Sequence, residues 1–284
     1  MGSTPAKVIA LAGLLLTSCT AARQQQFAAV YGTGSEQLAV ATGSPGELGL
    51  LKAIAEEFSR ESDAKILWRK AGTGESLQLL HDRRVDAIMV HAPAAEKQAV
   101  NEGWAAHRTL IGSNEFFLVG PADDPARVRS AKTVVEAYQR IAKSQPKFFS
   151  RADNSGTNQK EIAIWQKAGV TPVGDWYIRT HDFMTATLLR ADAERGYFMT
   201  DSSTWVAAKG RTPNLRLLFK GDPFIVNVYH AYCQPQGATR GAAVAAKFLD
   251  FLASEKAQQI IRDFGKDRYG EGLYNDAQYA RQFE

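Results

Sequence analysis

The sequence predicts an α/β protein built as two lobes, with the chain passing twice between them. Two observations support this fold class. Short apolar runs alternate with helical segments, and loop-forming residues interrupt the alternation near residues 120–125 and 220–226. Strand–helix alternation favours a parallel sheet covered by helices on both faces. A chain of 284 residues with 45% hydrophobic content is large enough to bury two such cores.

The first unit contains three strand–helix pairs. Its strands are short apolar runs, predicted at Leu38–Ala41, Ile66–Trp68 and Val85–Val90. Its helices are predicted after Gly46, at Ser76–Arg84 and at Ala94–Glu102. The first helix carries apolar residues close to one face at the helical period, namely Leu48, Leu51, Ile54 and Phe58. The unit ends after the strand Phe116–Val119, where Gly, Pro and Asp residues mark a loop.

A second alternating unit follows this loop. Its helices are predicted at Val134–Ala142, Asn158–Lys167 and Phe183–Ala193. Its strands are predicted at Lys147–Phe149, Tyr197–Thr200 and Leu215–Phe219. The chain then enters a long strand at Phe224–Cys233 and ends with an amphipathic helix that continues to Ile261. We therefore expect residues 37–121 and 225–284 to form lobe 1 and residues 122–224 to form lobe 2, with a two-strand hinge between them.

The N-terminus has the features of an export signal. Lys7 precedes the apolar run Val8–Leu16, which is too short to cross a bilayer as a helix but has the length of a signal-peptide core. The run leads to Leu16-Thr17-Ser18-Cys19, which resembles a bacterial lipobox. We predict a signal peptide at residues 1–18 and lipidation of Cys19, whose thiol would carry the lipid as a thioether.

Residues 19–36 are mostly polar and contain glycine, so we predict that they form a tether between the lipid anchor and the folded protein. Two other interpretations remain for the N-terminus. An ordinary signal peptide could be cleaved after Ala21 or Ala22, or the apolar run could form a buried N-terminal helix. With lipidation, the mature protein would be anchored to the membrane and would not span it.

Three loops combine the groups that bind an anion. Each follows a predicted strand and precedes a helix, at residues 42–46, 72–74 and 150–157. Backbone N–H groups and the dipole at a helix N-terminus favour negative charge, hydroxyls donate hydrogen bonds, and arginine adds a permanently charged donor. The candidate oxyanion-binding residues are Thr42, Ser44, Thr73, Arg151, Ser155 and Thr157. Any one of these loops alone could simply cap its helix.

Catalysis, cofactors and nucleic acid are not indicated. The net charge of +4 is spread along the chain without a dense basic run, which is typical of a solvated surface. His81 and His91 are interpreted as core or surface histidines, Ser155 lacks the context of a nucleophile elbow, and the cysteines Cys19 and Cys233 have no metal-ligand spacing. We expect a non-enzymatic monomer that needs no metal or other cofactor.

The motifs resemble those of the substrate-binding proteins of tungstate ABC transporters, from about Leu38 to the C-terminal helices. The matching segments are Thr42 with Ser44 and Gly49–Leu51; Gly72–Gly74 with Leu77; Asp86, Val90–Ala92 and Glu96; Val119–Pro125; Ser150–Thr157 with Glu161 and Trp165; and Tyr197–Asp201 with Thr204. The resemblance implies a periplasmic binding protein-like fold, tungstate or molybdate as ligand, and an ABC permease with its ATPase as partners.

The first loop departs from the family pattern. Gly43, Pro45 and Leu48 stand where the family is rich in hydroxyl residues, so two or three side-chain donors are missing. Phosphate or another small anion therefore remains an alternative ligand, because the Asp153 carboxylate could accept a hydrogen bond from the hydroxyl of hydrogen phosphate. An intracellular sensor of similar fold is a further alternative, although such a protein would lack the predicted signal peptide and would carry a helix-turn-helix, of which the sequence gives no sign.

Overall fold

The computed structural model describes residue 2 and residues 27–284, so the predicted signal peptide and Cys19 lie outside the described residues. The strands are β1 Ala29–Tyr31, β2 Glu36–Thr42, β3 Ala64–Lys70, β4 Ala87–Val90, β5 Ala106–Pro121, β6 Phe148–Ser150, β7 Tyr177–Arg179, β8 Tyr197–Asp201, β9 Leu215–Phe219, β10 Val226–Cys233 and β11 Asn275–Asp276.

The helices cover the faces and ends of these strands. They are α1 Ser44–Glu47, α2 Leu50–Glu61, α3 Thr73–His81, α4 Pro93–Asn101, α5 Val134–Ser144, α6 Gly156–Lys167, α7 Met184–Ala193, α8 Ser202–Ala208, α9 Ala242–Ala253, α10 Glu255–Asp263, α11 Lys266–Tyr269 and α12 Ala277–Ala280. Short 3₁₀ helices occupy Val128–Ser130, Lys209–Arg211, Pro223–Ile225 and Arg281–Phe283. No helix in the described part of the chain is long and apolar enough to span a membrane.

The sheet of lobe 1 has the strand order β1-β3-β2-β4-β10-β5. Successive side chains of β2 alternate between two cores, since Leu38 and Val40 face the α2 and α9 side whereas Ala39 and Ala41 face the α3 side. This alternation buries both faces, as expected for a central parallel strand. The sheet is mixed, however, because β1 is antiparallel to β3 and β10 is antiparallel to β4 and β5.

The sheet of lobe 2 continues from the second half of β5 through β8 and β6 to β7, with β9 paired to β5. Its core is rich in aromatic side chains, which pack mainly edge to face. Trp165 of α6 lies at the centre of this cluster, 4.4 Å from Tyr138 and 5.3 Å from Phe148 between ring centroids. This packing fixes α6, which begins within the third predicted loop, residues 150–157.

Two strands connect the lobes. β5 pairs with β10 through Glu115 and with β8 from Phe116 onward, so one strand belongs to both sheets. The chain returns to lobe 1 at Val226, which pairs with Glu115 and lies close to the predicted second crossover. The predicted first crossover and the lobe boundary at residue 121 come later than this change of partner. A continuous strand can pass between sheets without a loop, so Gly120 and Pro121 mark the end of β5 rather than the change of lobe.

Two sequence predictions need correction. The predicted tether, residues 19–36, is wrong at its C-terminal end, because Ala29–Tyr31 pair with β3 and the Ser35 N–H donates to Asp63 at 3.0 Å. A strand of three residues is too short to show a period within a polar stretch. The predicted long C-terminal helix divides at Ser254, which ends α9 and caps α10 by accepting a hydrogen bond from the Ala257 N–H.

Candidate functional site

The three predicted loops meet between the lobes. Strands β2 and β3 end at the same edge of the lobe 1 sheet, and β6 of lobe 2 brings its loop against them. The Gly74 N–H donates to the Asn154 carbonyl across the cleft at 3.2 Å. A Cβ atom built on Gly74 would lie 2.5 Å from the Asn154 carbonyl oxygen, so glycine at this position allows the second and third loops to approach so closely.

The first loop directs its hydroxyl groups away from a ligand. Thr42 is fully buried, and its hydroxyl donates to the Met89 carbonyl at 3.0 Å. The Ser44 hydroxyl donates to the Asp201 carboxylate of lobe 2 at 3.4 Å. A hydroxyl has one proton to donate. Both protons are therefore engaged within the protein, and Ser44 acts as a contact between lobes.

The second loop presents a donor that is not engaged. Thr73 is the first residue of α3, is 4% exposed, and makes no side-chain hydrogen bond within residues 27–284. Its backbone N–H belongs to the first turn of the helix, where intrahelical partners are lacking. The helix start adds a partial positive charge at the same point.

The third loop supplies the charge of the site. Arg151 is 4% exposed; its Nε donates to the Asp182 carbonyl at 3.2 Å and its Nη2 to Asp153 Oδ2 at 2.5 Å. The other oxygen of Asp153 accepts from the N–H and the hydroxyl of Ser155, at 3.2 and 2.6 Å. These contacts fix the guanidinium in orientation while leaving some of its five N–H groups for a ligand.

Thr157 gives the clearest sign of a ligand. Its side chain is 2% exposed, and its hydroxyl has no hydrogen-bond partner in the described structure. Leaving a buried hydroxyl unpaired costs about 1–3 kcal/mol. Thr157 lies in the first turn of α6, next to Ser155, which caps that helix by accepting from the Asn158 N–H at 3.3 Å. An acceptor oxygen at this helix start would satisfy the hydroxyl and the free N–H groups together.

The six predicted residues therefore fall into two groups. Thr73, Arg151 and Thr157 retain donors for an oxyanion. Thr42, Ser44 and Ser155 use their hydroxyl protons within the protein. The set of donors, helix starts and one guanidinium suits a ligand that only accepts hydrogen bonds. Within the described residues, no cluster of His, Cys, Asp or Glu side chains could hold a metal ion.

A buried polar chain behind the site was missed by the sequence analysis. His91 Nδ1 lies 2.8 Å from Asn227 Oδ1, the Asn227 amide donates to Asn114 at 2.7 Å, and the Asn114 amide donates to the Ser203 hydroxyl at 2.5 Å. Asn114 and Asn227 are directly opposite each other on the hinge strands. These hydrogen bonds therefore connect the residue that follows β4 in lobe 1, the hinge strands, and α8 of lobe 2. The pairing of β5 with β10, which are far apart in the sequence, brings these side chains together, and no local sequence motif indicates the contact.

Two ionisable groups of this region have shifted pKa values. Burial lowers the pKa of His91 to about 4, so its ring is neutral at pH 7 and donates through Nδ1 to Asn227. Burial also raises the pKa of Asp201. The Asp201 carboxylate accepts from the N–H and hydroxyl of Thr204, at 2.8 and 2.9 Å, as the N-cap of α8. Asp201 thus has a structural role in addition to its contact with Ser44.

A cation–π contact joins the lobes near the third loop. Lys70 at the end of β3 lies 4.1 Å above the ring of Phe183 in lobe 2, and it also pairs with Glu47 at 2.6 Å. The Arg151 guanidinium lies 5.7 Å from the centroid of the same ring. Phe183 therefore contacts one cation from each lobe. Neither Lys70 nor Phe183 belongs to a motif that the sequence analysis identified.

Comparisons with known proteins agree with this geometry. The model of the PBP superfamily domain matches residues 28–256. A tungstate-binding protein TupA from Peptoclostridium acidaminophilum is 34% identical over 94% of this chain and 94% of its own length. The crystal structure of a tungstate ABC transporter protein from Geobacter sulfurreducens has a TM-score of 0.73 at 32% identity, covering 82% of this chain and 100% of the other.

The tungstate-binding protein TupA from Desulfovibrio alaskensis G20 has a TM-score of 0.69 at 33% identity, over 85% of this chain and 99% of the other. These matches extend over both lobes, so they confirm the predicted α/β fold and the predicted family. The chain therefore belongs to the PBP superfamily and, within it, to the family of the TupA tungstate-binding proteins.

Proposed function

We propose that the protein is the extracytoplasmic solute-binding component of an ABC importer and that it captures a tetrahedral oxyanion, tungstate or molybdate, between its lobes. The single observation that carries the site is the buried, unpartnered Thr157 hydroxyl at the start of α6, beside Arg151. The relatives support the ligand class, since the curated relative and both solved structures described above are named for tungstate. They are binding proteins or transporter components, in keeping with a role that is not enzymatic.

Capture would proceed by closure of the two lobes. The anion first meets the lobe 1 loops, where Thr73 and the start of α3 offer donors. Lobe 2 then brings Arg151, Thr157 and the start of α6, and charge-assisted hydrogen bonds replace the hydration shell. The cross-cleft contacts of Ser44 with Asp201 and of Gly74 with Asn154 hold the lobes together. The closed form would then dock on the permease, whose ATPase drives release.

Calorimetric titration with tungstate, molybdate, sulfate and phosphate tests the ligand class. We expect tight binding of tungstate or molybdate and much weaker binding of sulfate and phosphate, because a larger anion reaches the donors of both lobes. Absence of binding for all four anions refutes the proposal. Tight binding of phosphate instead would identify the alternative ligand that the Gly43 and Pro45 substitutions of the first loop left open.

Replacement of the arginine tests the site itself. Arg151→Ala should weaken oxyanion binding by roughly tenfold to hundredfold, since a charge-assisted hydrogen bond contributes ~1.5–3 kcal/mol and each 1.4 kcal/mol is a factor of ten. Arg129→Ala is the matched control, because it removes the same charge from an exposed position of lobe 2. Equal affinities of the two variants would show that the anion binds elsewhere.

We also propose that Cys19 carries a lipid that anchors the protein at the membrane surface, with the mature protein acting as a monomer. The lipobox-like sequence Leu16–Cys19 supports this. The tether would end before Ala29, since β1 belongs to lobe 1. Cys19→Ala should move the protein from the membrane fraction to the soluble fraction, whereas Cys233→Ala, a change at a buried cysteine, should not. Retention of both variants in membranes would contradict lipidation.

A further inference from the structure

A cavity lies beside the hinge, and none of the six candidate oxyanion-binding residues lines it. Its volume is about 450 Å³, which is within the range of small-molecule sites. We call this cavity the hinge pocket. Its wall contains Lys160 of α6, Phe224 between the lobes, Arg108 and His230 of the hinge strands, and Phe283 with Glu284 of the final turn. The hinge pocket thus combines residues of both lobes with the strands that connect them.

Lys160 contributes a positive charge without a carboxylate partner. Its ammonium group donates to the Phe224 carbonyl at 2.9 Å and lies 4.7 Å from the centroid of the Phe224 ring. No Asp or Glu of the described chain forms an ion pair with it, and burial lowers its pKa. A partly buried charge is costly unless it is paired. This end of the hinge pocket therefore favours an anion.

The other charged residues of the hinge pocket are paired with one another. The Glu284 carboxylate is paired with the Arg108 guanidinium, and the same oxygen lies 3.1 Å from His230 Nε2. Arg108 Nη2 lies 2.8 Å from His230 Nε2, and His230 Nδ1 lies 2.8 Å from the buried Glu96 carboxylate. Arg108 thus already has a carboxylate partner within the protein, whereas Lys160 has none among the described residues. Phe224 and Phe283 add apolar surface to the wall.

We propose that the hinge pocket is a binding site for a small organic carboxylate with an apolar body, held by Lys160 and by the aromatic wall. Its wall is complete only when the lobes are in the arrangement described above. A bound carboxylate would therefore stabilise the arrangement that forms the oxyanion site. If the proposed function is correct, the two ligands raise each other's affinity, because coupling between sites is reciprocal.

Fluorine NMR with para-fluorobenzoate as the probe tests direct binding to the full chain. We expect saturable binding in the millimolar range and none for the neutral isostere para-fluorobenzamide. Lys160→Met should weaken probe binding by about tenfold or more, the effect of losing one charge-assisted contact. Lys167→Met is the matched control and should leave it unchanged, because Lys167 contacts the same Phe224 ring at 4.7 Å but does not line the hinge pocket.

The outcomes separate this proposal from the proposed function. Absence of saturable binding, equal binding of the amide, or unchanged binding in Lys160→Met overturns the carboxylate site. Arg151→Ala should weaken tungstate binding and leave probe binding unchanged, which would show that the sites are distinct. With saturating probe, calorimetry should show a several-fold lower Kd for tungstate; an unchanged Kd refutes the coupling. Probe binding without any oxyanion binding would support the carboxylate site in the hinge pocket and refute only the proposed function.

Discussion

Replacement of Thr157 by valine should have opposite effects on stability and on binding. The hydroxyl is buried, 2% exposed and unpartnered, so an isosteric methyl group removes an unsatisfied donor from the interior. Since such a donor costs about 1–3 kcal/mol, the free energy of unfolding without ligand should stay the same or rise. The same change deletes a donor to the anion, which contributes ~1.5–3 kcal/mol and corresponds to roughly tenfold to hundredfold weaker binding.

Two measurements on one pair of variants test this reasoning. Thermal unfolding without ligand gives the change in stability, and calorimetric titration with tungstate gives the change in affinity. Thr42→Val is the matched control, because the Thr42 hydroxyl is equally buried but donates to the Met89 carbonyl. We expect Thr42→Val to lose about 1 kcal/mol of stability and to bind the anion with nearly unchanged affinity.

The reverse pattern refutes the assignment. If Thr157→Val destabilises the ligand-free protein and leaves affinity within about threefold, its hydroxyl has a structural partner and the donor analysis fails. If Thr42→Val abolishes binding instead, the hydroxyl of the first loop turns from Met89 to the ligand. The family pattern of hydroxyl donors in that loop would then hold here despite Gly43 and Pro45.

Three further changes probe closure and electrostatics. Ser44→Ala removes the contact with Asp201 and should raise the tungstate dissociation rate more than it lowers the association rate, as measured by stopped-flow fluorescence. Gly156→Ala would put Cβ 2.5 Å from the His91 ring, so small-angle scattering should show more open lobes and calorimetry weaker binding. Burial raises the pKa of Glu161 from 4.5 to about 7. The stability that protonated Glu161 contributes is therefore complete below pH 4.5 and is lost as the pH rises through 7. Glu161→Gln should abolish that loss when unfolding is measured as a function of pH.

Each of these changes has an outcome that contradicts it. Unchanged release from Ser44→Ala would show that its contact with Asp201 does not hold the lobes. Gly210→Ala is the control for Gly156→Ala, since no atom lies within 4 Å of the added Cβ; equal effects would exclude a specific clash. A Glu161→Gln variant with the wild-type pH profile between 4.5 and 7 would place that titration on another group.

The sequence predicted those strands and helices whose buried residues form a short apolar run or recur at a regular spacing. The strand predicted at Leu215–Phe219 has those bounds in the structure, and the strand predicted at Leu38–Ala41 lies within β2. The first half of β5, Ala106–Glu115, was missed because it is rich in polar residues and its partner β10 begins only at Val226. A strand fixed by distant pairing carries little signal in its own sequence.

The same distinction applies to the site. The three loops were identified because each places hydroxyls, glycine or arginine between a strand and a helix, and the structure brings them together. The use of each hydroxyl could not be read from the sequence, since the Ser44–Asp201 contact depends on how the lobes meet. The pair Asn114 and Asn227 also depends on register across the hinge. The pairing of Lys70 with Phe183 has the same origin.

The position of β10 between β4 and β5 sets the order in which the molecule can fold. β10 follows all of lobe 2 in the chain, so the sheet of lobe 1 lacks an inner strand until residues 226–233 are available. Lobe 2 draws on one continuous stretch from the end of β5 to Ile225, and pairing close in sequence forms faster than distant pairing. We therefore expect lobe 2 to fold first and lobe 1 to be completed around it. A chain synthesised only as far as residue 225 would lack the complete lobe 1 sheet that positions the first two loops, so ligand capture has to wait for residues 226–284.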